Sequence, residues 1–121
     1  MKSAHSPDAS LGARATEHRR ALHRQPEVGL DLPRTLAYVR SALNTAGLHP
    51  QNCGPGIICD IGNEGPLVAI RADMDALPIT EETGLPFASE IAGAMHACGH
   101  DAHAGTLLAT AELLALDPPR E

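Results

Sequence analysis

The sequence predicts an α/β fold, and three observations predict it. Two early stretches carry apolar residues at helical spacing. After Gly47 the pattern changes to short apolar runs broken by Gly and Pro, and from about Asp101 a helical stripe returns.

From Asp8 to about Arg24 the residues suit a helix, with Ser10 as a candidate cap and Leu11, Ala15, Arg19 and Leu22 recurring on one side. Pro26 stops it. Residues 1–9 are expected to be a disordered tail ahead of one folded unit over 10–121. A second helix is predicted from about Pro33 to Ala46. Asp31 is its expected cap, Pro33 sits in its first turn, and Leu36, Val39, Arg40 and Leu43 share a face. Gly47 follows as the glycine that ends it.

The next runs, "IICDIG", "NEGP" and "LVAIRA", read as short strands and tight turns. "LVAIRA", residues 67–72, is nearly continuous in apolar residues and predicts a strand buried on both faces. Residues 73–97 hold Pro78, Gly84, Pro86 and Gly93 and few helix signals, which predicts a long loop of the kind that carries function. "DAHAGTLLATAELLAL" then predicts a last helix, with Ala104, Leu107, Leu108, Ala111, Leu114 and Ala115 as its apolar stripe. Pro118 and Pro119 end it.

Composition narrows the classes of function. Nine basic against fifteen acidic residues give a formal charge of −6, the wrong sign for sequence-independent phosphate binding, so nucleic acid is not an expected partner. No apolar run approaches a bilayer-spanning length and "MKSAHSPDAS" lacks an apolar signal core, so no membrane association and a cytoplasmic location are expected. Three cysteines cannot all pair with one another, and Cys53 and Cys59 fit neither zinc nor redox spacing; both are read as small buried hydrophobes.

Two segments carry chemistry. In "RADMDALP", Asp73 and Asp75 stand at i, i+2 directly after the predicted strand, which places both carboxylates on one side of an extended chain. They suit a cation or a shared proton, or else serve as turn-forming or capping aspartates. In "HACGHDAH", Cys98 and His100 have the same spacing just before a helix, and thiolate with imidazole suits zinc and related metals. A Cys98/His100 thiol hydrolase is the competing reading. It is the weaker, because nucleophile and base usually come from separated segments with a third orienting group. A water-activating carboxylate is also required, and Glu81, Glu82, Glu90 and Glu112 are the candidates. Glu112 is expected to be solvated, and Glu81 and Glu82 to anchor the loop.

Together, "LHRQPEVGLDLPRT", "RADMDALPITEETGLPFAS" and "MHACGHDAH" resemble the N-terminal part of the metal-dependent amidohydrolases of the aminoacylase, hippurate hydrolase and auxin-conjugate hydrolase group, from about Thr16 onward. The resemblance implies the N-terminal portion of a three-layer α/β/α catalytic domain, without the dimerisation domain. It implies a two-metal enzyme that cleaves the amide bond of a small N-acyl amino acid, with divalent Zn, Mn, Co or Ni as cofactor. Complete members form homo-oligomers. In this picture Cys98 is the ligand shared by two ions and His100 binds one of them. Asp75 matches the family's acidic catalytic-site residue that supports a ligand. Asp73 occupies the place where other branches carry a ligand histidine and is assigned a supporting role, as are His96, Asp101 and His103. The family's paired glutamates and two further ligand histidines lie downstream of the last helix, so the chain is expected to be truncated and inactive alone. The alternatives are a non-catalytic metal-binding or interaction module, or a non-functional gene fragment.

Overall fold

The computed structural model describes residues 9–120, so the expected tail falls outside it apart from Ala9, which already begins the first helix. Three helices and a small two-stranded sheet make up the structure, which fits the incomplete α/β fold expected from the sequence.

Helix α1 spans Ala9–Arg24. Ser10 lies inside its first turn, so it is not the flanking cap residue. Its inward face carries Leu22 together with His18 and His23, two buried histidines on a face otherwise read as apolar.

Helix α2 spans Pro33–Thr45 and buries Thr35, Val39 and Leu43, a four-residue repeat that keeps one side inward. Asp31 does not cap it: Leu32 occupies the cap position and makes no side-chain cap bond. The free amides are met from outside the helix by Glu27, whose carboxylate accepts from the Thr35 N–H at 2.7 Å, the Arg34 N–H at 3.2 Å and the Thr35 hydroxyl at 2.8 Å. A carboxylate there also faces the positive end of the helix. At the other end, Gly47 takes φ +82°, with its N–H on the Asn44 carbonyl and the Leu48 N–H on that of Leu43. This is a Schellman termination, which glycine adopts without steric cost.

Strands β1 (Gln51–Cys53) and β2 (Gly56–Ile58) form an antiparallel hairpin against α2. Helix α3 spans His100–Leu116 and packs along α1 and, less extensively, α2. Val39, Leu43, Leu108 and Ala111 form a buried apolar cluster between α2 and α3, with Leu48, Ile57, Ile61 and Met74 packed around it.

One glycine decides how closely α1 and α3 approach. A Cβ on Gly105 would lie 2.8 Å from the Arg19 backbone nitrogen and 3.1 Å from the Ala15 carbonyl oxygen, a clash with backbone that no rotamer change relieves. Glycine in a helix interior costs about 1 kcal/mol against alanine. Here it permits a helix contact that alanine would prevent.

Besides the two caps, three expectations are corrected. "LVAIRA" forms no ladder among the described residues: Leu67, Val68 and Ile70 are 92%, 80% and 63% exposed. A doubly buried strand needs neighbours on both sides, and within residues 9–120 nothing pairs with or covers this one. Cys53 is exposed and Cys59 only half-buried, since the hairpin that holds Cys53 lies at the surface. Glu112 is buried, not solvated, because α1 supplies it with two partners described below.

The long loop does form as such. It is tied down by Ala76, whose N–H donates to the Glu27 carbonyl at 2.7 Å, and by Leu77 and Met95, which exchange backbone bonds of 2.9 and 3.0 Å. These bridges fix both ends of the loop beside the start of α3. No described helix is long and apolar enough to cross a membrane.

Candidate metal centre

Gly99 precedes α3 with φ +107°, a left-handed conformation that a side chain would oppose. Its carbonyl accepts from the Ala102 and His103 N–H groups at 3.0 and 3.1 Å, so the chain turns into a helix at once. His100 and His103 then stand on the first turn, three positions apart and on one face, with ring centroids 5.7 Å apart.

That face meets the aspartates of "RADMDALP". The His100 Nδ1 atom lies 2.9 Å from the Asp75 carbonyl and 3.0 Å from its carboxylate. This pairing fixes the ring and leaves Nε2 as the nitrogen available to an ion. His100 Nε2 is 3.9 Å from Asp73 Oδ2, and His103 Nδ1 is 3.4 Å from Asp73 Oδ1. Asp73, His100 and His103 thus present three ligand atoms within 4.8 Å of one another. The Asp73 carboxyl is held below its ordinary range, first by a bond to its own backbone N–H and then by His100, His103 and Arg71.

Two imidazoles and a carboxylate form a chemically suitable donor set for zinc, manganese, cobalt or nickel. The grouping of these side chains differs from the one read in the sequence. Asp73 and His103, expected to support, stand in the group with His100, whereas Cys98 is exposed and outside that group. Asp75 lies outside the group and meets His100 at Nδ1.

Behind this face lies a buried polar network that pattern reading missed. His23 places Nδ1 at 2.7 Å from Asp101 Oδ2 and Nε2 at 2.8 Å from Glu81 Oε1, and Arg19 Nε donates to the same Asp101 oxygen at 2.9 Å. The His23, Asp101 and Glu81 side chains are 2%, 1% and 3% exposed. Burial pushes the Asp101 carboxyl up, but bonds from His23 and Arg19 outweigh it and the net shift is downward. Glu81 behaves likewise: burial raises it, while Thr83, the Ser89 N–H and His23 together bring it below its usual range. Glu81 is therefore a loop anchor, as expected, with His23 as the partner that the loop sequence alone did not show.

His96 is buried beside this network, and both its ring nitrogens and the Asp101 Oδ1 atom lack a hydrogen-bond partner among the described residues. Burial pushes its pKa down, against the pull of Asp101. A second network joins α1 to α3 farther along: His18 pairs with Glu112 at 2.5 Å and with the Tyr38 hydroxyl at 2.8 Å, and Arg14 also bonds Glu112. His18 falls on the stripe of Leu11, Ala15 and Leu22, so its inward position was readable, whereas His23 lies beside that stripe and its burial was not.

Residues 69–117 match Peptidase family M20/M25/M40. N-acetyl-L-cysteine deacetylase of Bacillus subtilis is 47% identical over 100 residues, covering 79% of this chain and 24% of that protein. A Rhodococcus jostii protein named for a glutamate–cysteine ligase 2-3 is 48% identical over 106 residues, covering 85% of this chain and 13% of that protein. Among solved structures, the Bacillus subtilis YXEP protein, described as a dinuclear metal-binding peptidase, superposes with a TM-score of 0.83 at 40% identity, over 90% of this chain and 32% of that one. The chain spans less than a third of each of these proteins. The shared fold, the identity along most of the chain and the family match over both chemical motifs make this chain similar to part of the M20 family proteins.

Proposed function

We propose that the protein uses divalent metal ions to hydrolyse the amide bond of small N-acyl amino acids. One observation carries the reading: Asp75 holds His100 by Nδ1 so that Nε2 faces Asp73 and His103. The carboxylate–imidazole pairing is the usual way a protein orients a metal-binding histidine. The names of the deacetylase and of the dinuclear metal-binding peptidase support the same chemistry.

In this reading His100 and Cys98 hold metal, with Asp73, His96, Asp101 and His103 supporting and Asp75 as the catalytic-site acid. A bound divalent ion polarises a carbonyl oxygen and makes water more acidic. The chain's own residues supply orientation and charge. Asp75 keeps a proton on His100 Nδ1, and Asp73 places negative charge beside both histidines. The proposed substrate class is the N-acyl amino acid, and the proposed ions are zinc, manganese, cobalt or nickel.

The test is release of free amino acid from N-acetyl-L-cysteine and other N-acyl amino acids in the presence of each ion. Release that is lost on chelation and on His100→Ala is the expected result. A protein that binds metal through His100 but releases no amino acid favours the second reading, a non-catalytic metal-binding module. One observation points toward that alternative. Glu81 and Glu112, two of the four candidate bases, are committed to buried pairs with His23 and with Arg14 and His18.

A further inference from the structure

His23 lies on neither chemical motif, yet it is among the most buried side chains of the described structure and joins three segments. Its Nδ1 meets Asp101, the residue that follows His100 on the first turn of α3. Its Nε2 meets Glu81, about a third of the way along the loop that starts at Asp73. The Phe87 ring closes the pocket edge-on, with centroids 5.5 Å apart. With one ring nitrogen on each carboxylate, His23 fixes both partners at once.

We infer that His23 is a positioning residue for the metal centre: through Asp101 it sets the first turn of α3, and with it the place of His100 and His103 relative to Asp73. This deepens the metal reading proposed above and rests on it. The two contacts are unequal in consequence. Asp101 shares a helical turn with both histidines of the group, whereas Glu81 lies in the loop and is also held there by the Thr83 hydroxyl and the Ser89 N–H. Removing a group that orients a ligand typically weakens metal binding about tenfold or more.

Three substitutions separate the contacts. His23→Asn retains an amide donor near the place of Nδ1, His23→Gln retains one nearer Nε2, and His23→Ala retains neither. Each is titrated with Co²⁺ alone, reading affinity by calorimetry and coordination by the visible cobalt spectrum, with circular dichroism confirming the fold. The expected result is affinity and spectrum close to those of the unaltered chain for His23→Asn. His23→Ala and His23→Gln are expected to lose about tenfold or more and to change the spectrum. His18→Ala serves as a control that weakens the same helix pair but leaves Co²⁺ binding unchanged.

Equal affinity for all three His23 variants overturns the inference, as does equal loss in His18→Ala. If the His23 variants do not fold, Arg19→Ala removes the other donor to Asp101, and unchanged Co²⁺ binding there overturns it. If the unaltered chain does not bind Co²⁺, the metal reading itself fails and the inference falls with it.

Discussion

Helix α1 buries two histidines, and each meets a carboxylate of α3, but the two junctions differ in what stands beyond them. His18 meets Glu112, with Tyr38 and Arg14 completing a group far along α3 from its first turn. His23 meets Asp101, next to His100, and reaches across to the loop through Glu81. Eleven residues of helix separate the two carboxylates, which is about 16 Å at 1.5 Å per residue. The same kind of pair, histidine with carboxylate, thus stands among packing contacts at one end and beside the candidate metal centre at the other. Burial and partner type do not by themselves reveal function; the neighbours of the partner do.

The largest expected effect comes from breaking the His23 junction. His23→Ala leaves Asp101 and Glu81 buried with only Arg19 and lesser donors, a loss of about 3–5 kcal/mol by analogy with truncated buried ion pairs. His18→Ala leaves Glu112 its Arg14 partner, so a smaller loss of about 1–3 kcal/mol is expected. Urea unfolding of both variants measures the difference, and equal losses would show the two junctions to be energetically alike.

Gly105 lies between the two junctions. Gly105→Ala is expected to push α1 and α3 apart and cost about 1–3 kcal/mol despite alanine's better helix propensity. Unfolding of that variant, read beside its Co²⁺ affinity, shows whether the contact acts on both ends. A more stable variant would mean that the helices separate freely.

Acid acts on both junctions. The Glu81, Asp101 and Glu112 carboxyls are shifted downward in the folded chain, so between the folded and unfolded values the unfolded chain binds more protons. Their stabilisation is present above the ordinary carboxylate values, about pH 4, and is lost as pH falls through the lower folded ones. Thermal melts from pH 6 downward check this, and a melting temperature independent of pH below about 4 would contradict it. The smallest effect is expected far from both junctions: Val68→Thr, at an exposed position, changes stability by about 0.5 kcal/mol or less.

What was legible in the sequence follows from how local each signal is. The three helices were readable because their periodicity and the Pro26, Gly47 and Pro118 stops are local. Glu27 as the cap of α2 was not, since it reaches past Asp31 from outside the helix. "LVAIRA" was misread because its apolar run reports what the segment is suited to contact, not what residues 9–120 supply. At the candidate metal centre, spacing brought Asp73, Asp75, Cys98 and His100 into view, but which side chains stand together depended on how the loop meets α3. Glu112 looked solvated because its partners, Arg14 and His18, are distant in sequence.

Glu27 has a consequence for chain length. Its carbonyl holds Ala76, next to Asp75, while its carboxylate caps α2. Residues 28–32 therefore run between two fastenings made by one side chain and its own backbone. An inserted residue there would have to release either the helix cap or the strand-like contact that holds the aspartate loop.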